Sequence, residues 1–122
     1  MAISLTLITN LLIAVIALLH LYILVLEMFL WEKPAGLRAF RNTPEKAVAT
    51  RVLAANQGLY NGFLAAGLLW GLWLGDAGLH IKIFFLLCIA IAGIYGAVTA
   101  ARKIIVIQTV PAVIALGLLA TT

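Results

Sequence analysis

Glu27 is the side chain best placed to do chemistry in this sequence. It lies within a long apolar run, 4–30, where a carboxyl group needs either a partner or a proton. His20 shares its stripe, since His20, Leu24, Glu27 and Trp31 recur at spacings of four, three and four and so stack on one helix face. An imidazole in line with a carboxyl suits proton relay or general acid–base work, so Glu27 and His20 are the catalytic candidates. His20 could equally bond a carbonyl one turn away. A second polar group opens the next apolar run in RVLAANQGLYNGFLAAG, residues 51–67. With Asn56 at zero, Tyr60 falls at ~40°, Gln57 at ~100° and Asn61 at ~140°, which is one face of a helix. Hydrocarbon offers polar groups no water, so this face is expected to look into a protein interior. A separate stripe of Val52, Leu59, Phe63 and Trp70 is expected to meet lipid or a partner subunit, and Gly58 with Gly62 and Gly67 with Gly71 suit close helix approach.

Later in the chain, Cys88, Tyr95, Thr99 and Arg102 share a stripe, and Gln108 precedes Thr109 and Pro111. If successive apolar runs cross a membrane in alternate directions, Glu27, Asn56, Gln57, Tyr95, Thr99 and Gln108 reach similar depth, with His20, Tyr60 and Asn61 deeper. They are expected to line one cytosol-facing pocket, with Arg51 and Arg102 as charge partners for Glu27. The alternative is that the same groups are interhelical glue, at ~0.6 kcal/mol per hydrogen bond. Cys88 and Thr109 are expected to pack, and Asp76 and His80 to be solvated.

The elements that must position these residues follow from composition. Of 122 residues 66% are hydrophobic and 10% charged, with mean hydropathy +1.21, against roughly 25% charged in an ordinary soluble domain. That marks an integral membrane protein partnered by a lipid bilayer, with no nucleic-acid signal. At ~20 residues per crossing, one domain, 1–122, holds four spans near 4–30, 48–74, 81–101 and 104–120. The expected fold is an all-α, four-transmembrane-helix bundle. Lys33, Arg38, Arg41, Lys46, Arg51, Arg102 and Lys103 flank two loops, and Lys82 alone sits by the third. The positive-inside rule then makes the basic loops cytoplasmic and puts both termini outside. The first run lacks a basic n-region and is too long for a signal peptide. A single cysteine excludes an internal disulfide and any Cys-rich metal cluster, and neither a metal nor a particular cofactor is indicated.

In the first basic loop, WEKPAGLRAFRNTPEK, Trp31 suits the headgroup level, while Pro34 and Gly36 are expected to stop the first helix and turn the chain. Leu37 and Phe40 opposite Arg38 and Arg41 suggest a short interfacial segment, an ordinary charged loop being the alternative. Thr43, Pro44 and Glu45 read as a helix start, with a hydroxyl cap, Pro at the first helical position and an acid in the first turn.

The segments HLYILVLEMFLWEKP (20–34), VLAANQGLYNGFLAAGLLWG (52–71), GIYGAVTAARKI (93–104) and IQTVPAVIAL (107–116) resemble the bacterial membrane family called domain of unknown function 1304, over nearly the whole chain. The resemblance implies a small four-span protein of the bacterial inner membrane and no established activity. A more distant similarity joins TPEKAVATRVLAANQGLYNGFLA to the membrane-associated eicosanoid and glutathione metabolism superfamily, through Pro44, Glu45, Arg51, Val52 and Phe63-Leu64-Ala65. It implies a trimer with a cytosol-facing pocket. The chain departs at Gly58 and Asn61, where that superfamily usually shows Asn and Glu, so the resemblance does not extend to the residues that would imply glutathione binding.

Three functions suit these residues. One is a site, binding or enzymatic, for a small amphipathic ligand, with Glu27 as charge or proton acceptor and Asn, Gln and Tyr as orienting groups. Another is a proton-coupled transporter of the small multidrug kind. The last is a structural or assembly protein. The Gly pairs and Trp-bearing faces suit a homo-oligomer in each case.

Overall fold

A computed structural model describes residues 4–122. Its five α-helices are α1 (Leu5–Met28), α2 (Pro34–Ala39), α3 (Pro44–Trp73), α4 (Leu79–Thr99) and α5 (Val110–Thr121), four of them longer than six residues. Two segments are long and apolar enough to cross a membrane, Leu5–Met28 and Gly75–Thr99, and a shorter apolar helical stretch covers Ile105–Thr121. The polar residues at 56, 57, 60 and 61 dilute the apolar character of α3, although it is 30 residues long.

Each of the four expected runs falls on helical structure, the last on the turn Ile105–Thr109 together with α5, because each is a largely apolar stretch bounded by breakers. The start of α3 is as its sequence indicates: Pro44 is its first residue, and the Thr43 hydroxyl accepts from the Lys46 N–H at 3.3 Å. The first loop differs in one respect. Helix α1 already ends at Met28, and Pro34 begins α2 instead of stopping α1, since its fixed φ and missing N–H suit a first turn. Gly36 stands against the Leu30 carbonyl, where any Cβ would collide. Arg41, at φ 49°, ends α2 in the left-handed region usually held by glycine. There the Asn42 N–H bonds the Leu37 carbonyl and the Arg41 N–H bonds that of Arg38.

The described residues form two compact units, one of residues 18–65 and one of residues 4–17 with 66–122. In the first, the end of α1 packs on the start of α3. The buried seam of α3 here is Ala47, Ala54, Gly58 and Ala65. These small residues let the helices approach closely, with Gly58 against Met28, Glu27 and the Leu24 carbonyl, and Gly62 against Leu24. Trp31 donates its indole N–H to Thr50 Oγ1 at 3.2 Å and tilts against Phe40 with centroids 5.0 Å apart, which ties the connecting loop to α3.

The second unit is built around α4. Leu86, Ile89, Ala112 and Ala115 are fully buried, and α4 packs against both α5 and a π-helical turn, Ile105–Thr109, that precedes it. In that turn the Val110 N–H bonds the Ile105 carbonyl five residues back. The turn sits just before Pro111, whose ring removes a donor from the regular helical ladder. It brings Thr109 to α4, where its hydroxyl donates to the Ala90 carbonyl at 2.9 Å beside Gly93. Packing was the expected role of Thr109.

Candidate functional site

Within residues 18–65, α1 supplies Glu27 and α3 supplies Asn61. The Asn61 amide donates to Glu27 Oε1 at 2.7 Å and also to the Gln57 carbonyl at 3.1 Å. The stripe periodicity of α1 and the small-residue seam of α3 produce this meeting, for Gly58, three residues before Asn61, lies against the Cβ of Glu27. An open cleft of about 490 Å³ adjoins it, lined among others by Glu27, Trp31, Glu32, Arg51, Val52 and Asn56. Met28, Phe29 and Ala55 complete an apolar wall, and Lys33 a further charge.

Arg51 does not partner Glu27 as expected. Its guanidinium lies 3.8 Å from Glu32 Oε1, with both side chains substantially exposed, because Glu32 sits in the solvated loop beside the first turns of α3. The partner Glu27 has is the neutral amide of Asn61. Asn56 lines the cleft but directs its amide to the Val52 carbonyl of its own helix at 2.8 Å. The expected inward face of α3 is therefore displaced. Asn56, Gln57 and Tyr60 are exposed and Asn61 half-buried, since Ala and Gly, not the amides, take the seam. The stripe of Val52, Leu59, Phe63 and Trp70 is exposed, as expected of a surface for lipid or a partner.

His20 is fully buried. In the other unit Tyr95, Thr99 and Arg102 are exposed and Gln108 is half-buried. Cys88 is half-buried, while Asp76 and His80 are exposed. No group of three or more His, Cys, Asp or Glu able to hold a metal occurs among the described residues.

Sequence reasoning missed Asn10 and Lys82. Lys82 is only 5% exposed, and its ammonium donates to Asn10 Oδ1 at 3.2 Å. As a loop-flanking charge it served only to set topology. Its place in the first turn of an apolar helix was the available signal, since an ionisable group there marks a candidate functional site.

Comparison with known proteins places this helical architecture in a class defined by sequence. The family described as protein of unknown function (DUF1304) matches residues 14–120, and the chain belongs to that family. It is 34% identical over 113 residues to the uncharacterized protein YpaA of Lactococcus lactis subsp. lactis (strain IL1403), covering 91% of this chain and 95% of that protein. No solved structure matches.

Proposed function

We propose that this protein is a four-span membrane protein of the bacterial inner membrane whose Glu27 cleft, on the side of the basic loops, receives a small amphipathic ligand. The carrying observation is the surroundings of Glu27. A carboxyl group in a polar and apolar cleft of about 490 Å³ has a neutral amide for its partner, while the nearby arginine is engaged with Glu32. A cationic or hydrogen-bond-donating ligand head would find an acceptor at Glu27, and its apolar part would lie along Met28, Phe29 and Val52.

Support for four spans comes from α1 and α4, which have the length and apolar character to cross, and from the length of α3. Thirty residues rise about 45 Å, more than the ~30 Å hydrocarbon core. The seven basic residues beside two loops support cytoplasmic loops with both termini outside. The exposed Val52, Phe63 and Trp70 suit a homo-oligomer.

The test is native mass spectrometry of protein purified in mild detergent, wild type beside Glu27→Gln. A small molecule that co-purifies with wild type and is lost from the folded variant is the expected result. Wild type that carries nothing, with assembly unchanged in the variant, refutes the proposal and leaves Asn61–Glu27 as a structural bond.

A further inference from the structure

A second cavity, of about 180 Å³ and lined by both polar and apolar residues, lies within the unit built around α4. Thr6, Thr9, Asn10, Asp76 and Lys82 are among its lining residues. Lys82 reaches it from the first turn of α4, almost wholly buried at 5% exposure. Gly71 makes room for the lysine stem, since a Cβ at that position would come within 2.8 Å of Lys82 Cγ and 3.2 Å of its backbone nitrogen. The ammonium is thus held in place by the shape of the neighbouring helix.

Its charge is not matched by its partner. An ammonium has three donors and no acceptor, and Asn10 Oδ1 accepts one of them at 3.2 Å without offsetting the charge. No ion pair to Lys82 occurs among the described residues. A buried cation is stable only when paired or well hydrogen-bonded, so the cavity suits an anionic group. Asn10 has its amide NH2 left to donate once its oxygen faces Lys82. The Thr9 hydroxyl already donates to the Leu5 carbonyl at 2.8 Å, which leaves it only as an acceptor.

Asp76 fixes the other half of the ligand. It lines the same cavity from the exposed 3₁₀ turn Gly75–Gly78, beyond ion-pair reach of Lys82. The cavity therefore has a buried cation within and a carboxylate on the exposed turn. A simple anion would satisfy the first and be repelled by the second. We infer that this cavity receives a compact zwitterion, with carboxylate or phosphate oxygens on Lys82 and Asn10 and an ammonium towards Asp76. The chemistry is shared by free amino acids and by phosphoethanolamine lipid headgroups. It is independent of the Glu27 cleft.

Purified, delipidated protein would be titrated with glycine by calorimetry, and exposed to detergent micelles containing phosphatidylethanolamine or phosphatidylglycerol before native mass spectrometry. Saturable glycine binding identifies a free zwitterion. Selective retention of phosphatidylethanolamine identifies a headgroup. In either case Lys82→Met and Asp76→Asn should each weaken binding roughly tenfold or more, the loss expected for one charged contact, while Glu27→Gln should leave it unchanged. Should Lys82→Met fail to fold, the Lys82 amino ¹⁵N resonance of wild type replaces it, and a ligand-induced shift is expected. Binding of neither probe, retention of phosphatidylglycerol as strong as that of phosphatidylethanolamine, indifference to Asp76→Asn, or an unmoved Lys82 resonance overturns the inference.

Discussion

Replacing Asn61 by Ala deletes the amide that donates to Glu27 at 2.7 Å. Two magnitudes bound the effect. Hydrogen bonds to charged groups contribute ~1.5–3 kcal/mol in soluble proteins, whereas interhelical bonds in a membrane protein average ~0.6 kcal/mol because the unfolded helices find other partners. The Asn61 amide also bonds Gln57 on its own helix at 3.1 Å, so it retains one partner when Glu27 is removed. That moves the expected value towards the lower bound, to about 1 kcal/mol. The single variants Glu27→Ala and Asn61→Ala carry additional packing losses, because Glu27 also touches Gly58, so neither alone reads the bond. A double-mutant cycle isolates it. Unfolding in detergent mixed with increasing SDS, followed by circular dichroism, gives the four stabilities. A coupling within ~0.3 kcal/mol of zero, the scatter of independent sites, would show that this contact holds no energy and would remove the physical basis for treating Glu27 as a positioned group.

The same unfolding assay tests three other features. Gly93→Ala forces a Cβ onto the Thr109 hydroxyl and backbone nitrogen; overpacking of ~1–3 kcal/mol together with a strained Thr109–Ala90 bond outweighs the ~1 kcal/mol gained by helix propensity, and a net loss near 2 kcal/mol is expected. Gly117→Ala, with nothing within 4 Å, should instead gain up to ~1 kcal/mol, and equal behaviour of the two glycines would contradict the described packing. Arg41→Gly relieves the left-handed backbone at φ 49° and should stabilise by about 0.5–1 kcal/mol; a loss would mean that the Arg41 side chain outweighs its strain. Arg51→Ala removes an exposed ion pair at 3.8 Å and should change stability by less than ~0.5 kcal/mol.

Helix positions were legible because hydrophobic runs, Thr43-Pro44-Glu45 and the loop breakers act locally. Which face of a helix turns inward is decided by the neighbour, and there the amides misled. On α3 polarity nominated Asn56, Gln57 and Tyr60, yet the seam went to Ala54, Gly58 and Ala65, whose small side chains permit contact that amides obstruct. Asn61 joined the site because it borders that seam. Glu27 was visible as an acid in an apolar run, but its partner was not, since Arg51 had Glu32 within reach in the loop. Lys82 was hidden by its position beside a turn, where the same residue type serves topology as readily as a pocket. Nothing in a single sequence shows that Asn10, 72 residues away, supplies its acceptor.

The π turn at Ile105–Thr109 amounts to one residue more than a regular helix would hold between its flanking turns. Removing a residue there would restore an unbroken α-helix through to Thr121, and the chain before it would be re-phased by about 100° against α5. Arg102 and Lys103 would then point in a new direction while Ala112 and Ala115 kept theirs. The wide turn is thus a phase adjuster, letting one helical segment hold its inward Ala face and its basic end in an angular relation that ideal geometry would forbid.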